Sequence, residues 1–94
     1  MDQFQKAVYL ISEGPEQSNI TNDIKLKFYA LYKQANFGDC QIPEPWFNLV
    51  EKAKRNAWYA LKGMEPEIAK QKYVELLTTL YPTWLQDPCF PTGK

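Results

Sequence analysis

Four stretches of this chain repeat their apolar residues at three- and four-residue intervals, and a glycine or proline punctuates each one. That spacing stacks side chains on one face of a helix and is wrong for a strand, where alternate residues share a face. In the first stretch Phe4, Ala7, Val8 and Ile11 form one stripe, and Gly14-Pro15 stops it. The second runs from about Asn22 to Asn36, with Ile24, Phe28, Leu31 and Ala35 as its stripe and Gly38 just beyond its end. The third runs from about Asn48 to Lys62; Val50, Ala53, Ala57 and Leu61 line one face and Gly63 closes it. The fourth starts near Glu65-Pro66, where a proline costs no hydrogen bond. Its stripe is Ala69, Tyr73, Leu76, Leu77 and Leu80, and Pro82 forces the exit. With no strand pattern and no internal repeat, the fold class is all-α, a four-helix bundle.

The connections differ in kind. The very short link between the third and fourth segments predicts antiparallel neighbours. The longest, Phe37 to Phe47, carries Pro43, Pro45, Trp46 and Phe47, a stiff loop expected to pack on something. Beyond Pro82 the tail reads as irregular, with Trp84 and Leu85 as candidates to dock on the bundle.

Composition removes several function classes. Ninety-four residues suit one domain. Lys+Arg and Asp+Glu both number 11, so the net charge is zero and a nucleic-acid partner is not expected. The chain has no histidine, which removes the commonest general base and a common metal ligand. Cys40 and Cys89 do not form a CxxC and read as reduced thiols rather than a disulfide framework; no metal or other cofactor is expected. The amino terminus lacks the basic and apolar regions of a secretory signal, and no apolar run has the length of a membrane span. Asn19-Ile20-Thr21 matches a glycosylation acceptor by chance in that setting.

The polar residues of the second segment need an explanation. Lys25, Tyr29 and Lys33 recur every four residues on one face, and Tyr32 stands beside Lys33. Two phenols and two ammoniums suit a ligand with an aromatic base and a phosphate. The same spacing equally describes a solvated lysine face with half-buried tyrosines. In the third segment Lys52-Ala53-Lys54-Arg55 reads as a solvated face, with the Lys54 stem against Trp58 one turn on. Tyr73 reads as a core tyrosine with its hydroxyl at the rim.

Three blocks decide between these readings. Phe28 to Ala35, followed by Gly38-Asp39, resembles the Y-x-x-Y-K-Q-A-x-x-G-D signature of the acyl-CoA-binding protein family. Lys52 to Met64 resembles its K-x-K-W-x-A-W-x-x-L-x-G-M block, and Glu67 to Val74 its fourth-helix block ending in A-x-x-x-Y. The resemblance covers about residues 3–81, in order and in register, within a single domain over 1–94 whose tail is 82–94. It implies an up-down-down-up bundle, and a ligand that is the CoA ester of a medium- to long-chain fatty acid. It implies that Tyr29, Lys33 and Lys54 gather the ribose 3′-phosphate and that Tyr32 and Tyr73 flank the adenine. Ala30 and Leu31 lie within the contacting stretch, and the acyl chain lies in a groove between helices. The expected role is a monomeric, cytoplasmic carrier or buffer without catalysis, passing its ligand to acyl-CoA-using enzymes or membranes.

The chain departs from the family pattern in three places. Arg55 stands where the family has the first tryptophan of its second block, Ser12 near the family's late first-helix lysine, and Pro45-Trp46 where the family has proline-glycine. Trp46-Phe47 thus has two expected roles, packing over the ligand groove or anchoring the loop. Two other functions were weighed. A thioesterase or transferase would use Cys40 as nucleophile, with no histidine to activate it. A protein-interaction bundle with a degenerate pocket would present Trp46, Phe47 and Trp84 as an apolar patch.

Overall fold

The computed structural model describes residues 2–14 and 19–90; the Pro15 stop and the tail beyond residue 90 lie outside the described residues. The chain forms α1 (Gln3–Glu13), α2 (Asn22–Phe37), α3 (Leu49–Tyr59) and α4 (Pro66–Leu80), then a one-turn 3-10 helix, Trp84–Gln86. There is no strand among the described residues. The first three helices start where a side chain accepts from their orphan amides, and the fourth starts at a proline. Asp2 and Gln5 form a reciprocal capping box, Thr21 caps α2, Asn48 caps α3, and Pro66 opens α4.

Contacts at the helix ends fix the directions. Phe4, early in α1, meets Tyr73 on α4 at 5.3 Å, and Asn19, just past α1, donates to the carbonyl of Leu80 at the end of α4. So α1 and α4 run the same way. Tyr29 and Lys25 on α2 share a groove with Val50 and Ala53 on α3, while the α2 end meets the α3 end through Phe37 and Trp58. So α2 and α3 also run the same way. Gln34, late in α2, reaches the Met64 carbonyl just before α4, which makes that pair antiparallel. The order is up-down-down-up.

Phe4, Ala7, Leu10, Phe28, Leu31, Ala35, Ala69, Tyr73, Leu77 and Trp84 form the main core. The principal helix contacts are α2 with α4, α2 with α3, and α1 with α4. The short third link therefore does not make α3 and α4 neighbours, because both dock on α2. The third helix also ends earlier than its apolar spacing predicts. After Tyr59 the amides of Leu61, Lys62 and Met64 bond to carbonyls three residues back, which tightens the chain into turns.

That tightening serves a clasp. Asp39 accepts from the Gly63 amide at 2.9 Å and from Gln34 Nε2 at 2.8 Å, and the same Gln34 nitrogen donates to the Met64 carbonyl. Gly38 and Gly63 have φ of 76° and 90°, left-handed values that favour glycine, and they bracket this clasp. Gln34, Gly38 and Asp39 of the first motif block thus tie the end of α2 to the turn entering α4.

Candidate functional site

On α2 the four-residue spacing lifts Tyr29 and Lys33 onto the side that faces α3. Lys54 reaches across from α3. Its ammonium lies 5.1 Å from the centre of the Tyr29 ring, and that of Lys33 lies 5.7 Å from the same ring. Lys33 is also held 4.8 Å from Phe37 and 5.5 Å from Trp58. Aromatic faces attract a cation without neutralising it, so the cluster keeps its positive charge. Lys33 makes no ion pair among the described residues, and Lys54 has only an exposed contact of 3.6 Å with Glu51. The Lys54 ammonium turns to Tyr29, and the Lys33 ammonium lies over the Trp58 indole.

Two hollows meet at Tyr29. The first, a cleft of about 730 Å³, is lined by Val8, Ile11 and Ser12 from α1, by Lys25, Tyr29 and Tyr32 from α2, and by Tyr73 from α4. Tyr73 is 2% exposed and packs edge-on against Phe4 and Phe28. Burial, and then the neighbouring Tyr32, push its hydroxyl well above the phenol range, so it stays a neutral donor. The second hollow is a groove of about 470 Å³ between α2 and α3, walled by Leu26, Tyr29, Leu49, Val50, Ala53 and Lys54. Lys25 and Tyr29 border both. A basic, phenol-rich cleft beside an apolar groove is the shape of a site for an anionic amphiphile.

Four of the seven expected ligand residues line these hollows, Tyr29, Tyr32, Lys54 and Tyr73, and Lys33 lines neither but stands over the Tyr29 ring between them. Ala30 and Leu31 do neither. Both are buried, Ala30 against Cys40 and Trp58 and Leu31 in the main core, and both line a groove on another side of α2, with Leu61 and Leu76. A helix cannot aim five successive side chains one way. Conversely, Leu26, Leu49, Val50 and Ala53 belong to the groove, although the spacing of Val50 and Ala53 predicts core positions. Their signal was the run Leu49-Val50, apolar on two adjacent positions where one face needs only one.

The departures resolve differently from one another. Ser12 lines the cleft with its hydroxyl bonded back to the Val8 carbonyl, so it supplies no cation. Arg55 turns away: its Nε donates to the Ile42 carbonyl at 2.9 Å, and its guanidinium lies 4.4 Å over the Tyr59 ring. Trp46 and Phe47 neither cover the groove nor anchor the loop. They are exposed and pack edge-on against each other at 5.2 Å. Trp84 is 1% exposed, so it contributes to the core and not to a surface patch. Leu85 remains exposed rather than docked. Cys40 is buried on the far side of α2, and burial and then Asp87 raise the Cys89 thiol, so neither is an activated nucleophile. Both thiols are free.

A family model described as acyl-CoA-binding protein matches residues 1–77. The chain belongs to the acyl-CoA-binding protein family. Among curated relatives, the acyl-CoA-binding protein of Dictyostelium discoideum is 48% identical over 81 residues, covering 85% of this chain and 94% of that one. Enoyl-CoA delta isomerase 2 of Homo sapiens is 51% identical over 63 residues, 66% of this chain. The chain spans only 16% of that isomerase, so nothing of its catalysis carries over. Among solved structures, the acyl-CoA-binding protein of Babesia bovis is 48% identical with a TM-score of 0.76, covering 90% of this chain and 97% of that one. The one from Moniliophthora perniciosa is 37% identical with a TM-score of 0.79, covering 89% and 84%. The four-helix acyl-CoA-binding fold is thereby common to all three chains.

Proposed function

We propose that this chain is a carrier of medium- to long-chain fatty acyl-CoA that holds its ligand without breaking the thioester. The observation that carries the assignment of residues is the convergence of Lys33 and Lys54 on the single ring of Tyr29, at the junction of a phenol-lined cleft and an apolar groove. The 3′-phosphate of CoA, close to a dianion at neutral pH, sits among Tyr29, Lys33 and Lys54. The adenine lies against Tyr32 and Tyr73, and Lys25 supplies the charge that Ser12 lacks. The acyl chain runs along Leu26, Val50 and Ala53.

The magnitudes divide the labour. Burying a methylene contributes about 0.8 kcal/mol, so roughly ten of them contribute about 8 kcal/mol before ordering costs. Charge-assisted hydrogen bonds to the phosphate add about 1.5–3 kcal/mol each. Affinity thus rests mainly on the chain and head-group identity on the cluster. The carrier acts as a monomer over a single domain, and its two free thiols suit a reducing, cytoplasmic setting in which it hands its ligand to enzymes or membranes. No helix among the described residues is long and apolar enough to cross a membrane.

Calorimetric titration with palmitoyl-CoA, free CoA and palmitate tests the reading. Tight binding of the ester, weak binding of CoA and none of palmitate is expected. Equal binding of palmitate and the ester would overturn it.

A further inference from the structure

Lys25 and Tyr29 are the two residues that border both the cleft and the α2–α3 groove. A ligand that reaches from one hollow into the other must cross the α2 ridge at these side chains. Tyr29 is taken: Lys33 and Lys54 stand over its ring, and Lys25 does not join them. Lys25 lies one turn earlier on α2, about 6 Å along the axis. It is exposed and pairs with no acid among the described residues. Asp23, the nearest acid on its own helix, lines the groove on another side of α2. Across the cleft, Ser12 brings only a hydroxyl, which is bonded to the Val8 carbonyl. Among the described residues, no aspartate or glutamate lines either hollow, and Lys25 and Lys54 are the charged side chains that do. The crossing thus carries positive charge at two places, one helical turn apart.

We infer that Lys25 holds the 5′-diphosphate of the CoA ester, apart from the 3′-phosphate, and so makes the site select a nucleotide thioester over a thioester of pantetheine alone. This rests on the acyl-CoA reading above and adds a second anion subsite to it. CoA carries its charge in two places, the ribose 3′-phosphate and the 5′-diphosphate. The diphosphate stands between the nucleoside and the pantetheine that leads to the acyl chain. With the adenine in the cleft and the acyl chain in the groove, the diphosphate is the anion carried to the crossing. The 3′-phosphate takes the Tyr29 cluster, where two ammoniums converge. The diphosphate then meets the next cation along the ridge, which is Lys25. With no carboxylate lining either hollow, the field there favours a second anion. The contribution is modest. An exposed ammonium is screened by water and salt, so Lys25 contributes less than the half-buried Lys33.

The test is a calorimetric titration of the wild type, Lys25→Met and Lys25→Arg with three esters: palmitoyl-CoA, its 3′-dephospho analogue and palmitoyl-pantetheine. Methionine keeps an unbranched stem and removes the charge. Lys25→Met is expected to weaken palmitoyl-CoA about five- to tenfold and the 3′-dephospho analogue by the same factor, since both keep the diphosphate. Its affinity for palmitoyl-pantetheine, which has no phosphate, should stay at the wild-type value. Lys25→Arg, which keeps the charge, should bind all three esters like the wild type. The loss in Lys25→Met should shrink at high salt. Both variants should melt with the wild type, because Lys25 is exposed. Wild-type affinity of Lys25→Met for palmitoyl-CoA overturns the inference and leaves the acyl-CoA reading standing. So does a loss confined to palmitoyl-CoA, which would give Lys25 to the 3′-phosphate. An equal loss for palmitoyl-pantetheine also overturns it, by giving the lysine stem to the acyl chain. If the wild type binds none of the three esters, the acyl-CoA reading itself fails and takes the diphosphate subsite with it.

Discussion

Lys33 and Lys54 come from different helices, yet the ring of Tyr29 brings their charges to one place. Neutralising either should therefore cost the ligand a charge-assisted hydrogen bond. Lys33→Ala and Lys54→Ala are each expected to weaken palmitoyl-CoA about ten- to hundredfold by calorimetry, with helical circular dichroism unchanged. Gln34 belongs to the same motif block and behaves oppositely. It is fully buried, and its Nε2 joins Asp39 to Met64. Gln34→Ala is expected to lower stability by about 2–3 kcal/mol in urea unfolding, through lost hydrogen bonds and a cavity. At this scale the spacing of Lys25, Tyr29 and Lys33 was legible because one helix face is a local property. The meeting of Lys54 with Tyr29, and of Lys33 with Trp58, was not, because it depends on how α3 lies along α2. The split of one motif into residues proposed for the ligand and residues of the clasp was hidden for the same reason: Gln34 and Asp39 find partners some 24 to 30 positions away.

The elements show where periodicity misleads. Stripes on α1, α2 and α4 lead into the core, since Phe4, Phe28, Leu31, Ala69, Tyr73 and Leu77 are all buried. On α3 the stripe splits. Its later half packs with Leu61 and Trp58, while Val50 and Ala53 line an open groove. An apolar face awaiting a ligand and one buried against protein carry the same spacing. The tail bears out half of its expectation: proline-rich and irregular, it delivers Trp84 into the core, with its indole N–H donating to Thr78 at 2.9 Å, and leaves Leu85 exposed. Trp84→Ala should therefore destabilise by about 3–5 kcal/mol, as large a loss as in a helix interior. Thermal unfolding followed by circular dichroism measures it. Trp84→Phe should recover part of the loss.

For the whole molecule, zero net charge leaves pH stability to a few local groups. The Asp39 carboxyl is held low first by the Gly63 amide and then by Gln34, that of Glu44 by Asn56, and that of Asp87 first by the Cys89 amide. A carboxylate lowered by folding contributes stability that is present above the ordinary carboxylate range and lost as pH falls through its lowered value. The melting temperature should drop in that acid window, and Asp39→Asn should flatten the drop. On the alkaline side the Cys89 thiol, raised first by burial, and the hydroxyls of Tyr81, raised first by Asp87, and of Tyr73, raised first by burial, each contribute stability that is complete below the group's ordinary value and declines as pH rises beyond it. Between those limits the defining claim of the proposed site is a phosphate held by Tyr29, Lys33 and Lys54. The most direct test is a paired calorimetric titration with palmitoyl-CoA and its 3′-dephospho analogue. The wild type should prefer palmitoyl-CoA by at least about tenfold, and the preference should vanish in Lys33→Ala. Equal affinity of the wild type for the two ligands would contradict it.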